Sequence, residues 1–267
     1  PYNGRFFAPF GEREAKQMNA AIMEWEARKS KDLDGCWPRE AIPDGFMTTH
    51  NNGDIKNGHG YHYWSDMFNA RELLAHSLLL KSIMSVGDYS KEVREYVLGC
   101  LQQYVRNNNN FTIWNTQADQ LEPMFSNNNF HPKQTTVENS VFGEYGRGNW
   151  NGCARGILDG LQWTNDPWDI VAKSNLESCG RTDLASEIPG KGVKVNLKDP
   201  VRGADVRCHS STDLDFIADA SLDLVITDPP FGGLLHYSEL SDFFYVWLRA
   251  ALKDNYPSHF GASATPK

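Results

Sequence analysis

The sequence predicts an α/β protein, a helical N-terminal half followed by part of a parallel sheet. Three observations carry this. Apolar side chains recur at helical spacing through residues 70–106. Leu224, Val225 and Ile226 form a short apolar run that reads as a buried strand of a parallel sheet. Asp228 is then followed at once by Pro229 and Pro230, and proline, lacking an N–H, stops a strand and turns the chain. An acid, two rigid residues and the ring of Phe231 would thus stand at the carboxyl end of a strand. Open α/β sheets bind ligands along that edge. The expected division is a mainly helical region with long loops over residues 1–190 and a sheet region over 191–267.

The elements follow in order. Residues 1–10 read as an extended lead-in. Over residues 12–29, Ala15, Met18, Ile22 and Trp25 fall at helical spacing, with Glu12 and Glu14 early and Arg28 and Lys29 late, as a helix dipole favours. Residues 30–60 are rich in Gly, Pro, Asn and Asp and predict a long connecting loop. His59 and His62 make an H-x-x-H with no further ligand in view, so they read as surface and packing histidines, and no metal is expected. Asn69 and Glu72 have capping-box spacing at the head of a Leu-rich helix. Ser90 can cap a second helix, through Arg106, whose apolar positions follow i, i+3, i+4, i+7. A short link makes these two an expected antiparallel pair.

The phrase Asn-Asn-Asn-Phe occurs at 108–111 and again at 127–130. Asparagine can read adenine edges, but loop composition is the simpler account. Gly143, Gly146 and Gly148 resemble a nucleotide loop in spacing only. Val141 and Phe142 are too short a strand before it, and residues 149–152 do not open a helix cleanly. A short helix is expected over 153–163, ending at Asn165, Asp166 and Pro167. Val193, Lys194 and Val195 alternate as a strand would. Residues 204–213 read as a short strand into a turn, and residues 214–217 as a short helix leading to the motif strand.

Bulk properties narrow the class. The chain has 267 residues, 40% hydrophobic and 22% charged, which fits a globular protein with one large core or two smaller ones. No apolar run reaches membrane-spanning length, and no stretch reads as a signal peptide. The chain starts at Pro1 rather than Met, which suggests a processed or excised piece. The 5 cysteines are odd in number and none forms C-x-x-C, which argues against a disulfide framework or zinc ribbon and for a reducing cytoplasm. A net charge of −8 argues that this segment alone holds DNA weakly, because phosphate contacts need Lys and Arg.

Asp228, Pro229, Pro230 and Phe231 resemble the catalytic motif of the amino-methyltransferases, which methylate an exocyclic base nitrogen with S-adenosylmethionine. The run from Tyr237 through Ser238, Glu239, Leu240, Ser241, Asp242, Phe243 and Phe244 to Arg249 extends the match. It is similar to the large adenine-specific DNA methylases, whose members often carry a zinc-ribbon-like insert. The aromatic phrase from Tyr61 to Leu74, before a Leu-rich helix, is similar to a phrase of the same family, as is the pair Glu138 and Asn139.

The resemblance implies a Rossmann-like, S-adenosylmethionine-dependent methyltransferase sheet, DNA as partner, a cytoplasmic enzyme of the restriction-modification kind, and an internal segment of a larger methyltransferase. It assigns catalysis to Asp228, Pro229, Pro230 and Phe231, and cofactor contact to Ser210, Thr212 and Asp228. His209 and Ser211 stand where the family has glycine and alanine. The family's Gly-rich cofactor loop is not found in this stretch.

The chemistry fits those residue types. The adenine N6 lone pair is delocalised into the ring. Acceptors aimed at its two hydrogens favour a tetrahedral nitrogen. The resemblance gives that role to the Asp228 carboxylate and a backbone carbonyl of the proline pair, with Phe231 stacked on an extruded base. Cytosine-N4 or RNA methylation and a non-catalytic module that binds DNA or a partner remain alternatives. Protein-glutamine enzymes more often have Asn at the position of Asp228.

Overall fold

Helix α1 (Glu12–Arg28) opens where the Glu14 carboxylate accepts the Gly11 N–H at 3.1 Å. Of the expected apolar face only Trp25 is buried, edge-on to Trp37 at 5.4 Å; Met18 and Ile22 stay partly exposed. The helix is fixed at its C-terminal end instead. Arg28 binds Asp32 and Glu24, and Lys81 reaches Asp32 at 2.9 Å. The computed structural model describes residues 8–50, 54–126, 129–132, 136–144, 146–171, 186–188, 192–196, 205, 207, 209–228 and 236–261. Helices and small sheets are mixed within it.

The chain divides into two units. The first joins residues 1–155 to 232–267, and the second holds residues 156–231. The linear boundary expected at residue 190 is a different cut from this one. In the first unit, α2 (Ala70–Ser85) packs on α1 and on α3 (Lys91–Arg106). The Asn69 side chain accepts the N–H groups of Arg71 and Glu72, and the Glu72 carboxylate accepts the Asn69 N–H at 3.0 Å. This is the reciprocal cap that the spacing predicts. Ser90 caps α3 through the Val93 N–H.

The asparagines after α3 are not solvated loop residues. Asn107, Asn108 and Asn109 are buried, and their amides donate to the carbonyls of Gln103, Tyr104 and Val105 at 2.6–2.8 Å. A helix end leaves its last four carbonyls without partners, and this run satisfies all four, Asn109 also donating to the Arg106 carbonyl at 3.1 Å. An antiparallel hairpin follows, β1 (Ile113–Asn115) with β2 (Gln120–Glu122), pairing Trp114 opposite Leu121.

Helix α4 (Trp150–Asn165) begins earlier than its composition suggests. Asn149 accepts the Gly152 N–H at 2.8 Å, which supplies the cap that the stretch 149–152 was expected to lack. Gly148 has φ +77°, and a Cβ there would fall 2.3 Å from the Asn107 Cβ, so glycine is required for close packing on the asparagine run.

Helix α5 (Tyr237–Leu252) closes the first unit. Phe243 and Trp247 are fully buried. The Phe68 ring stacks on Phe243 at 5.7 Å and meets Trp247 edge-on at 5.4 Å, and His76 lies 5.7 Å from Trp247. Near the other end of α5, Arg249 pairs with Glu40.

In the second unit, β3 (Trp168–Val171), β4 (Ser186–Ile188) and β5 (Gly192–Asn196) form one sheet in the order β3-β5-β4, with both pairings antiparallel. The strand expected at 193–195 is therefore present. The parallel, Rossmann-like arrangement expected after residue 190 is not what the described residues form. Every described strand pair is antiparallel, and the sheet starts at Trp168. The described part of 204–213 is turn and extended coil, and 214–217 make one turn, with the Ile217 N–H on the Leu214 carbonyl, rather than a helix. Among the described residues no helix is long and apolar enough to cross a membrane.

The packing of α5 sets a stability expectation. Trp247→Ala should cost about 3–5 kcal/mol in denaturant unfolding, because a fully buried indole leaves a cavity. Met23→Ala, at a 73% exposed position, should change stability by no more than about 0.5 kcal/mol.

Candidate functional site

The motif segment is where structure and sequence reading part. Residues 222–228 are coil with a bend at Asp223, not strand. Leu224, Val225 and Ile226 are 72%, 69% and 85% exposed, so the buried strand expected there is corrected. The physical reason is the lack of a paired neighbour. Strand backbone must share its N–H and C=O groups with an adjacent strand, and among the described residues none lies beside this run. Asp228 is exposed at the end of it. Pro229, Pro230 and Phe231 lie outside the described residues.

Ser210 and Thr212 do form the expected turn. Their hydroxyls lie 2.8 Å apart, and the Thr212 N–H donates to Ser210 Oγ at 3.3 Å. Beside them the Phe216 ring takes the Arg207 guanidinium on its face at 4.3 Å and the His209 ring edge-on at 5.1 Å. Arg207 is also paired with Asp205. Both hydroxyl residues are exposed, and no hydrogen bond among the described residues links either to Asp228.

The first unit shows more convergence than the sequence suggested. Three stretches, far apart in the chain, meet there. Arg71 Nη2 donates to Glu138 Oε2 at 2.7 Å, and Asn69 Nδ2 donates to the same oxygen at 3.2 Å. Phe68 and His76 pack on α5. Thus the aromatic phrase before α2, the acid at 138 and the helix after the motif share one neighbourhood.

Glu239, in the first turn of α5, accepts the N–H groups of Phe46 (3.1 Å) and Met47 (2.9 Å). Those residues open a π-helical turn, Phe46–His50. His236, just before α5, stacks on Phe46 at 4.4 Å with an interplanar angle of 13°. A Cβ on Gly45 would fall 2.1 Å from Glu239 Oε2, so a side chain there would displace the carboxylate from this position. Sequence reading missed this clamp. Glu239 stood in plain view in the matched phrase, but nothing local marked its partners, 192 and 193 residues away.

Two buried titratable groups sit on α2. Burial pushes the Glu72 carboxyl up from 4.5 to about 8, against the opposing pull of the Asn69 N–H. Burial pushes the His76 imidazole down from 6.5 to about 4, although its Nε2 lies 2.8 Å from the Asn108 carbonyl. Both are therefore neutral near pH 7. Burial also raises the thiols of Cys100 and Cys153, to about 12 and about 11, so neither is a thiolate nucleophile. Cys36, Cys100 and Cys153 are free, and among the described residues no His, Cys, Asp or Glu cluster could hold a metal ion. His59 and His62 are both exposed.

Comparison with family models, with curated proteins and with solved structures finds no match to this chain.

The α2 pair makes a pH prediction. Glu72 alone lowers stability as pH rises from 4.5 to about 8, because the folded state holds a proton that the unfolded state has lost. His76 alone raises stability as pH climbs from about 4 to 6.5, because the unfolded state holds the extra proton. Between 4.5 and 6.5 the two slopes cancel. Between 6.5 and 8 only Glu72 acts, and stability should fall by up to about 1.4 kcal/mol per pH unit. Glu72→Gln should abolish that fall and unmask an acid-side slope below pH 6.5. Urea unfolding across pH 4–9 reads both effects.

Proposed function

We propose that this chain is all or part of a DNA methyltransferase that acts on an exocyclic base amine, adenine N6 in the first instance, with S-adenosylmethionine as methyl donor. The observation that carries the reading joins sequence to structure. The stretches that resemble the large adenine-specific DNA methylases, at 61–74, at 138 and at 237–249, are distant in the chain. They pack together through Arg71 with Glu138 and through Phe68 with Phe243 and Trp247. The Phe68 contacts lie in the core and the Arg71–Glu138 pair lies at the surface, and unrelated chance matches would have no reason to meet.

The resemblance gives each motif residue its role, and the chemistry of the residue types fits it. The Asp228 carboxylate accepts the amine hydrogens and turns the nitrogen lone pair outward. A carbonyl of the Pro229–Pro230 pair gives a second, rigid acceptor, and Phe231 stacks on the base. The cofactor supplies an electrophilic methyl group when bound. Ser210, Thr212 and Asp228 are its candidate contacts, and the family's Gly-rich cofactor loop is not found in this stretch. This chain alone should therefore bind S-adenosylmethionine weakly or not at all. Calorimetric titration checks this, and micromolar binding would contradict it.

A second reading is a methylase-like module that binds DNA or a partner without catalysis. The exposed Asp228 and the open Ser210–Thr212 turn favour it for the isolated chain.

Methyl transfer from labelled cofactor to adenine-containing DNA separates the two, using the full reading frame that encodes this chain. Asp228→Ala should lower the rate by about 10²–10³ with the fold retained, because one preorganised acceptor is lost. Phe231→Ala should also lower it, while Phe231→Tyr or Phe231→Trp should be tolerated. A rate near wild type for Asp228→Ala would leave the motif as a turn and the catalytic reading without support.

A further inference from the structure

Single exposed apolar residues are common on proteins, but a contiguous run of them marks a surface that something covers. Leu222 is 56% exposed, and Leu224, Val225 and Ile226 are more open still. No described residue of the second unit is buried, so among those residues the run has no apolar core to turn into.

The backbone of the run is as open as its side chains. Among the described residues, no hydrogen bond between backbone groups involves residues 222–228. Each residue there carries a donor and an acceptor that a ladder could use. Val225, Ile226 and Thr227 are β-branched and favour the extended form. Residues 224–228 have the length of an ordinary strand, and Pro229, which has no N–H, ends it.

These features restrict the occupant. In an extended chain Leu224 and Ile226 fall on one face and Val225 on the other. A helix laid across the run would cover one face and leave the backbone groups unpaired. An added strand pairs the backbone and sets its own side chains beside both faces.

Charge restricts it further. Residues 208–228 contain 5 aspartates, Asp213, Asp215, Asp219, Asp223 and Asp228, and no Lys or Arg. These would repel nucleic-acid phosphates and anionic lipid head groups. A second copy of the run would bring like charges together, which destabilises a strand pair. A strand with Lys or Arg at its ends would instead meet complementary charge at Asp223 and Asp228.

We propose that residues 222–228 form a docking edge, to which another polypeptide adds an apolar, β-branched strand flanked by basic residues. The proposal goes beyond the methyltransferase reading and does not rest on it.

Fluorescence anisotropy with the full chain at low salt tests this, using the labelled peptide Lys-Lys-Val-Val-Thr-Ile-Val-Lys-Lys as probe. It should bind with a dissociation constant of about 100 μM or tighter. The peptide with Glu in place of every Lys should bind at least about tenfold more weakly, and added salt should narrow that gap. The Lys-flanked peptide with Pro in place of its Thr should also lose about tenfold, because proline removes a ladder donor. Amide hydrogen exchange should slow at residues 222–228 when the first peptide is bound. Val225→Pro and Ile226→Asp should each weaken binding about tenfold or more, while Ile226→Val should keep it. Circular dichroism checks that the variants fold.

No binding, equal binding of the Lys- and Glu-flanked peptides, slowed exchange confined to other residues, or unaltered binding in folded Val225→Pro and Ile226→Asp would overturn the proposal. Self-association that slows exchange at residues 222–228 without peptide would also overturn it, and would give the run to a second copy. None of these readouts involves a methyl donor, so their failure leaves the Asp228 assay to decide the catalytic reading.

Discussion

The first unit depends on the seating of α5. Phe243 and Trp247 are fully buried against Phe68 and His76, and burying two large aromatic side chains is worth several kcal/mol in apolar area alone. Directional bonds fix where along the core that helix sits. Glu239 takes the two amides that open the π-helical turn, and Arg249 pairs with Glu40. A hydrogen bond between an ionised carboxylate and a backbone amide is stronger than a neutral one, and Glu239 makes two. The helix is thereby pinned near both ends, close to where the chain leaves the motif.

The buried polar groups follow from the same packing. Glu72 is needed at the head of α2 to cap Asn69, and the fold then covers it. His76 is needed to reach the Asn108 carbonyl, and the aromatic rings of Phe68, Tyr104 and Trp247 surround it. Neither group can hold its usual charge at little cost in that setting. Local capping thus becomes a pH dependence of the whole unit, through burial rather than through ion pairing.

Local signals in the sequence were the legible ones. The caps at Asn69 and Ser90 lie within four residues of what they bond, so spacing alone announced them. The strand at 193–195 was visible as alternation. Long-range partners left no such trace. Nothing near Glu239 points to Phe46, and nothing near Asn107 says that it caps α3 rather than facing water. The run Leu224, Val225 and Ile226 shows the opposite failure. Its composition favours a buried strand, but composition does not supply the neighbour that a strand requires, and the run is exposed. Near the candidate site, the turn at Ser210 and Thr212 was legible, while the strand expected to end at Asp228 was not formed.

We propose that the segment around Asp228 serves methylation of a base amine. Its most direct measurement is the mass-spectrometric content of N6-methyladenine in DNA from a host without adenine methylation of its own. The host would express the full reading frame that encodes this chain. The account predicts N6-methyladenine with the unaltered sequence and its loss with Asp228→Ala. Equal content in the two, or none in either while the protein is folded and abundant, would contradict it.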